Sequence, residues 1–217
     1  MAWRCSATGH AELVRNLRKA GVIHSDAVER AMLSVDRSNY TPRNPYTDAP
    51  QAIGHQATIS APHMHAHALE LLERHLRPGM RALDVGSGSG YLSAVMARMV
   101  GEEGKVIGID YLWPLVDLAV ANVHKADADL LNSGTLQFEQ GDGWKGYEKA
   151  SPFDAIHVGA AAERLPQRLQ RGALHGPFKK NPPSHPSTSI HLHPHPSTSI
   201  HPSIHFSWEG RFWVAEG

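Results

Sequence analysis

The string Leu83-Asp84-Val85-Gly86-Ser87-Gly88-Ser89-Gly90 sets three glycines at alternate positions behind an acidic residue. Such spacing permits a tight turn and lets a ligand approach the backbone closely. It also separates candidate ligands. A dinucleotide fingerprint requires glycine or alanine at position 91, where this chain has Tyr91, and no Gly-Lys-Ser/Thr ending follows to make a phosphate-cradling loop. Asp84, at the entrance of the loop, would repel a pyrophosphate and favour a ligand carrying ammonium and sulfonium charge.

Asp110 lies 20 positions beyond Gly90 and is placed to accept hydrogen bonds from ribose hydroxyls. Asp142, followed by Gly143, is placed to cap an adenine. Taken singly, Asp84 or Asp110 could equally cap a helix or end a strand. Together with the loop they point to S-adenosylmethionine as cofactor. Elsewhere His63 and His67 stand four apart, but Met64 follows the first where a metallohydrolase would place glutamate, so no metal site is expected. His191, His193 and His195 alternate and could capture transition metals adventitiously.

The elements that must hold these residues follow from periodicity. Short apolar strands are predicted at 81–85, 106–110, 135–140 and 153–158, and helices at 91–100 and 115–124. Strands alternating with helices argue a doubly wound parallel sheet with its ligand site at the carboxyl ends of the strands, where the glycine loop, Asp110 and Asp142 all fall. Helical spacing of Leu13, Leu17, Val28, Met32 and Leu33 predicts a small helical preface over 11–18 and 25–34, the second segment capped by Ser25 or Asp26. Residues 39–56, punctuated by Pro42, Pro45, Pro50 and Gly54, read as a surface loop. Pro62 suits a first helical turn, which puts Thr58 and Ser60 on a loop feeding a helix. By its residue type alone Ser60 reads as that helix's N-cap.

The chain has 217 residues, 41% of them apolar, with 21 basic and 21 acidic side chains. That is globular composition, and the balanced charge disfavours a nucleic-acid partner. A single cysteine, Cys5, forms no internal disulfide, and neither a signal peptide nor an apolar run of membrane length is visible, so a cytosolic protein without membrane association is expected. From 181 to 205 there is no charged residue, and His-Pro-Ser-Thr-Ser-Ile-His occurs at 185–191 and again at 195–201. Such a repeat cannot bury enough apolar area to offset its ordering entropy. The expected organisation is therefore N-terminal helices and loop over 1–56, an α/β core over 57–176, and a low-complexity, disordered tail over 177–217.

Three strings carry a family resemblance: Ala57-Thr58-Ile59-Ser60-Ala61-Pro62-His63-Met64-His65, the glycine loop, and Asp154-Ala155-Ile156-His157-Val158-Gly159-Ala160-Ala161. The chain resembles the protein-L-isoaspartate (D-aspartate) O-methyltransferase family from its start to about residue 162. The first string is specific to that family; the loop is shared by many S-adenosylmethionine-dependent methyltransferases with a Rossmann-like fold. The resemblance implies methyl transfer to the free carboxylate of isoaspartyl or D-aspartyl residues in damaged proteins, a repair reaction, by a monomer. It implies Ser60 in the active site, orienting the carboxylate. Ala57, Thr58, Ile59 and His65 would neighbour cofactor or substrate. Gly86, Ser87, Gly88, Ser89 and Gly90 would line the methionine end, Asp110 the ribose, and Asp142 with Gly143 the adenine.

The chain departs from the family after residue 162. The family continues through a helix and a Pro-Gly-Gly turn into three more strands; here 164–174 can still be helical, but nothing after Gly176 reads as those strands. The strand at 153–158 would then be an unpaired sheet edge, and stability would be poor. The segment 206–214, with Trp208, Phe212 and Trp213, is the one stretch able to add a strand, although no turn chemistry guides it there. The alternative to an active methyltransferase is an impaired variant that only binds cofactor or a partner.

Overall fold

The structure is a computed structural model that describes residues 5–159 and the backbone of the strand Trp213–Glu216. The expected helix over 164–174 and most of the expected disordered tail lie outside the described residues.

Two helices, α1 (His10–Lys19) and α2 (Asp26–Ser34), open the chain as the apolar spacing predicts. Ser25 caps α2 by accepting the Val28 N–H at 3.3 Å. Leu13, Val14, Leu17, Val28 and Met32 are buried, so this preface is part of the main core rather than an appendage. A single 3-10 turn, Arg37–Asn39, follows.

The expected loop over 39–56 is partly wrong. Its end is strand β1 (Gln51–Gly54), paired antiparallel with β2 (Ala57–Ile59). The turn between them runs through Gly54, His55 and Gln56, all at positive φ. It lacks the Asn-Gly type of signal, so nothing in the residue types announces a hairpin. The chain then enters α3 (Pro62–Leu72), with Pro62 in the first turn as expected.

The central sheet consists of β3 (Arg81–Val85), β4 (Lys105–Asp110), β5 (Leu136–Gln140), β6 (Ala155–Val158) and β7 (Trp213–Glu216), in the order β5-β4-β3-β6-β7. The first four are mutually parallel, as strand-helix alternation requires. Between them run α4 (Tyr91–Val100), α5 (Trp113–Ala126) and the short α6 (Ala128–Asn132), which periodicity over five residues does not reveal. Ala82, Val106, Leu136 and Ala155 face the large core formed with these helices and the preface. Leu83, Val85, Ile107, Ile109, Ile156 and Val158 form a second cluster with Phe153 on the opposite face.

The expectation that the strand ending at Val158 is a bare edge is overturned. β7 pairs with β6 antiparallel, Ala155 opposite Glu216 and Val158 opposite Trp213. Its position at the far end of the sequence explains why no turn signal leads to it. An antiparallel neighbour needs only an extended segment of strand-forming residues, here Trp213, Val214 and Ala215, to meet the open hydrogen-bonding row. No described helix is long and apolar enough to cross a membrane.

Candidate active site

At the carboxyl ends of β3 and β6, Asp84 stands directly opposite His157 in the sheet register. Both are buried, and His157 Nδ1 lies 2.8 Å from Asp84 Oδ1. The Ser93 hydroxyl, from α4, donates to Asp84 Oδ2. Asp84 is thus not a free lip at the entrance of the loop. It is an anion held beneath the loop by two partners, and His157 and Ser93 were invisible as site residues because only the sheet register brings them to it.

The glycine loop is anchored from behind. Gly86 and Ser87 donate to the Ile109 carbonyl at 2.8 and 3.0 Å. Asp110 accepts the Gly88 N–H at 3.0 Å and the Leu112 N–H at 3.2 Å, so its carboxylate ties the loop to the end of β4. Asn122 of α5 donates to the Ser89 carbonyl at 3.0 Å. Gly90, at φ +83°, begins α4, and a Cβ there would come within 3.0 Å of Phe138 and 3.1 Å of Ala119. Only glycine meets both demands.

These elements line a crevice that is open to solvent on one side. Thr58 and Ile59 line it from β2, Ser60 from the link that follows and His65 from α3; Asp84, the loop from Gly86 to Ser89, Tyr91 and Leu92 line it below; His157 and Gly159 line its side. No lysine or arginine is among its described lining residues. The Ser87 hydroxyl is buried with no hydrogen-bond partner among the described residues.

Ser60 is not a helix cap. The N-cap of α3 is Ala61, which has no side-chain hydrogen bond, and Ser60 stands one residue earlier on the crevice wall. Its carbonyl accepts from Arg37 at 2.7 Å. His65 is buried and its Nδ1 faces Arg37 at 3.2 Å. Burial, the Arg37 charge and the neighbouring His157 and His63 hold its pKa well below the ordinary value of 6.5, so the ring is neutral. His63, by contrast, turns away to Asp48, which accepts both its ring nitrogen at 2.8 Å and its backbone N–H at 3.0 Å.

Five expected residues stand outside this crevice, the first being Gly90, the N-cap of α4. Ala57 packs against the main core. Asp110 lies behind the loop it anchors. Asp142 accepts the Trp144 N–H at 3.0 Å in the turn after β5. Gly143 lies so close to Val85 that a Cβ would stand 2.2 Å from its Cγ1. Arg37, absent from the sequence reading, is fully buried behind Ser60 and His65. A lone arginine in Val35-Asp36-Arg37-Ser38 carries no spacing that would flag it.

The chain is similar to known proteins over most of its length. The family model for protein-L-isoaspartate(D-aspartate) O-methyltransferase matches residues 8–176. A Caenorhabditis elegans protein-L-isoaspartate O-methyltransferase is 50% identical over 169 residues, covering 78% of this chain and 75% of that protein. The Triticum aestivum enzyme of the same name is 51% identical over 160 residues, covering 72% and 70%. A crystal structure assigned to a Plasmodium falciparum protein-L-isoaspartate O-methyltransferase, in complex with S-adenosyl-L-homocysteine, superposes with a TM-score of 0.71 at 40% identity, over 75% of this chain and 78% of that one. Because the matched span contains every crevice residue from Thr58 to Gly159, the chain belongs to the protein-L-isoaspartate(D-aspartate) O-methyltransferase family.

Proposed function

We propose that this chain is a protein-L-isoaspartate O-methyltransferase, methylating the free carboxylate of isoaspartyl and D-aspartyl residues with S-adenosylmethionine as cofactor. The observation that carries the reading is a crevice with an acidic floor, no lysine or arginine among its described lining residues and a serine on its wall. An anionic floor suits a cationic donor and opposes a phosphate.

The residues fit the cofactor. Ser87 holds a buried hydroxyl in need of a partner, and the loop presents backbone that only glycine keeps open. Gly86, Ser87, Gly88, Ser89 and Gly90 would hold the methionine end above Asp84. Asp110, with lone pairs left after its two backbone bonds, would take the ribose hydroxyls. Asp142 and Gly143 would border the adenine, and Ala57, Thr58, Ile59 and His65 would close the opposite wall. When bound, S-adenosylmethionine supplies an electrophilic methyl group on a sulfonium.

A carboxylate is already ionised at neutral pH, so no general base is required and none of the crevice groups needs to remove a proton. The work of the protein is alignment. The Ser60 hydroxyl has no hydrogen-bond partner among the described residues and is available to donate to one oxygen of the incoming carboxylate. It is an orienting group, not a nucleophile. Neutral His65, its Nδ1 occupied by Arg37, keeps its own donor on Nε2.

Incubation with methyl-labelled S-adenosylmethionine and paired peptides tests this. Label should enter an isoaspartyl peptide and not its normal aspartyl counterpart. Cofactor binding without transfer would establish instead the impaired variant.

A further inference from the structure

Arg37 is 0% exposed, yet among the described residues no carboxylate lies within ion-pair distance of it. Its two terminal nitrogens divide between the Ser60 carbonyl at 2.7 Å and His65 Nδ1 at 3.2 Å. Its Nε has no partner among the described residues, and the guanidinium stands 5.3 Å from the centroid of the Tyr91 ring. Burial pulls its pKa down to about 10 against an opposing pull from Tyr91 and from the Asp48 carboxylate, which lies beyond ion-pair distance, and this leaves it fully charged at neutral pH.

Burying a cation without an ion pair is costly. Tethering two neutral acceptors does not require that charge, because an amide could donate to both. What the charge adds is a positive potential behind the wall where the substrate carboxylate must settle, in a place where solvent screens it little. Fixed donation from an arginine, which cannot accept, also forces His65 Nδ1 to be the acceptor and leaves the ring proton on Nε2.

We propose that Arg37 is a positioning residue for the reaction: its buried charge, held against Ser60 and His65, draws the substrate carboxylate toward the Ser60 hydroxyl and fixes the His65 tautomer. The first half rests on the methyltransferase reading above; the second does not. Two walls of one crevice then carry opposite charges, Asp84 beneath the cofactor loop and Arg37 behind the substrate residue.

The test uses the full-length chain, with Arg37→Gln and Arg37→Lys. Removing the charge should raise KM for an isoaspartyl peptide about tenfold, as expected for one weakly screened charge pair, while KM for S-adenosylmethionine stays within about twofold. Arg37→Lys keeps the charge but not the fork, so peptide KM should rise by less than about threefold while kcat falls. Nitrogen-15 NMR of the His65 ring gives a readout independent of activity. The unmodified chain should show the proton on Nε2 and no titration near 6.5, with Arg37 from the 3-10 turn and Tyr91 from α4 against the ring, and His157 of β6 and His63 of its own helix acting on it through their charge. Arg37→Gln should move that titration upward.

A peptide KM unchanged in Arg37→Gln, or both KM values rising together, would overturn the role assigned to the charge. A His65 proton on Nδ1 in the unmodified chain would overturn the tautomer, whether or not any variant folds. Absence of methyl transfer by the unmodified chain would remove the methyltransferase reading and the charge's role with it, while the NMR result would still decide the tautomer.

Discussion

Replacing Gly90 with alanine probes how tightly the loop is built. Gly90 sits at φ +83°, where an L side chain costs about 1 to 2 kcal/mol in backbone conformation alone. The new methyl would stand 3.0 Å from Phe138 Cζ, 3.1 Å from Ala119 Cβ and 3.3 Å from Ala119 Cα. Two of these three atoms belong to a packed helix that cannot swing aside, so an overpacking cost of about 1 to 3 kcal/mol adds to the first. Gly101 is the internal control. It also has positive φ, +66°, but nothing lies within 4 Å of its would-be Cβ. Gly101→Ala should cost the backbone share only, offset in part by the stiffer unfolded chain. Gly90→Ala should therefore be less stable than Gly101→Ala by about 1 to 3 kcal/mol, read from urea unfolding and seen as a melting difference of several degrees. It should also weaken S-adenosylmethionine binding by calorimetry, whereas Gly101→Ala should not. Equal stability of the two variants would refute the claim that the loop is wedged between α5 and β5.

Other substitutions read other parts of the account. Ser60→Ala should lower kcat on an isoaspartyl peptide by at least about tenfold with cofactor affinity unchanged by calorimetry, because one charge-assisted hydrogen bond is lost. Asp84→Asn should weaken S-adenosylmethionine by about tenfold or more in the same assay while leaving the shape of the floor intact. Tyr40→Phe removes a buried donor that lies 2.6 Å from Asp127 and should cost about 1 to 3 kcal/mol in urea unfolding. His65 predicts a pH slope. Its folded pKa lies well below the ordinary 6.5, so the unfolded chain binds a proton first; stability from this group is complete above 6.5 and declines as pH falls below it. Unfolding measured from pH 7 to 5 should show that decline in the unmodified chain and a smaller one in His65→Gln.

The sheet and its loop were legible because parallel strands buried on both faces give continuous apolar runs, such as residues 106–109 of β4, and helices of ten or more residues show their period. The hairpin through Gln51–Ile59 was not, since its strands are four and three residues long and its turn uses His55 and Gln56 rather than glycine and asparagine. Asp84 was legible as a residue but its partner was not, because β6 brings His157 against it from 73 residues away. Arg37 lay beyond reach for the same reason. Its meaning comes from a cation being buried 23 residues from the carbonyl it holds, and burial at that separation leaves no local pattern. β7 shows the converse, a strand recognisable by composition whose partner could not be.

Competition at the crevice tests the whole account most directly. Calorimetric titration of the full-length chain with S-adenosylmethionine, NAD and ATP should give saturable heat for the first, displaced by S-adenosylhomocysteine, and none for the phosphate-bearing pair. NAD or ATP binding in preference, at a position that Asp84→Asn strengthens, would contradict it.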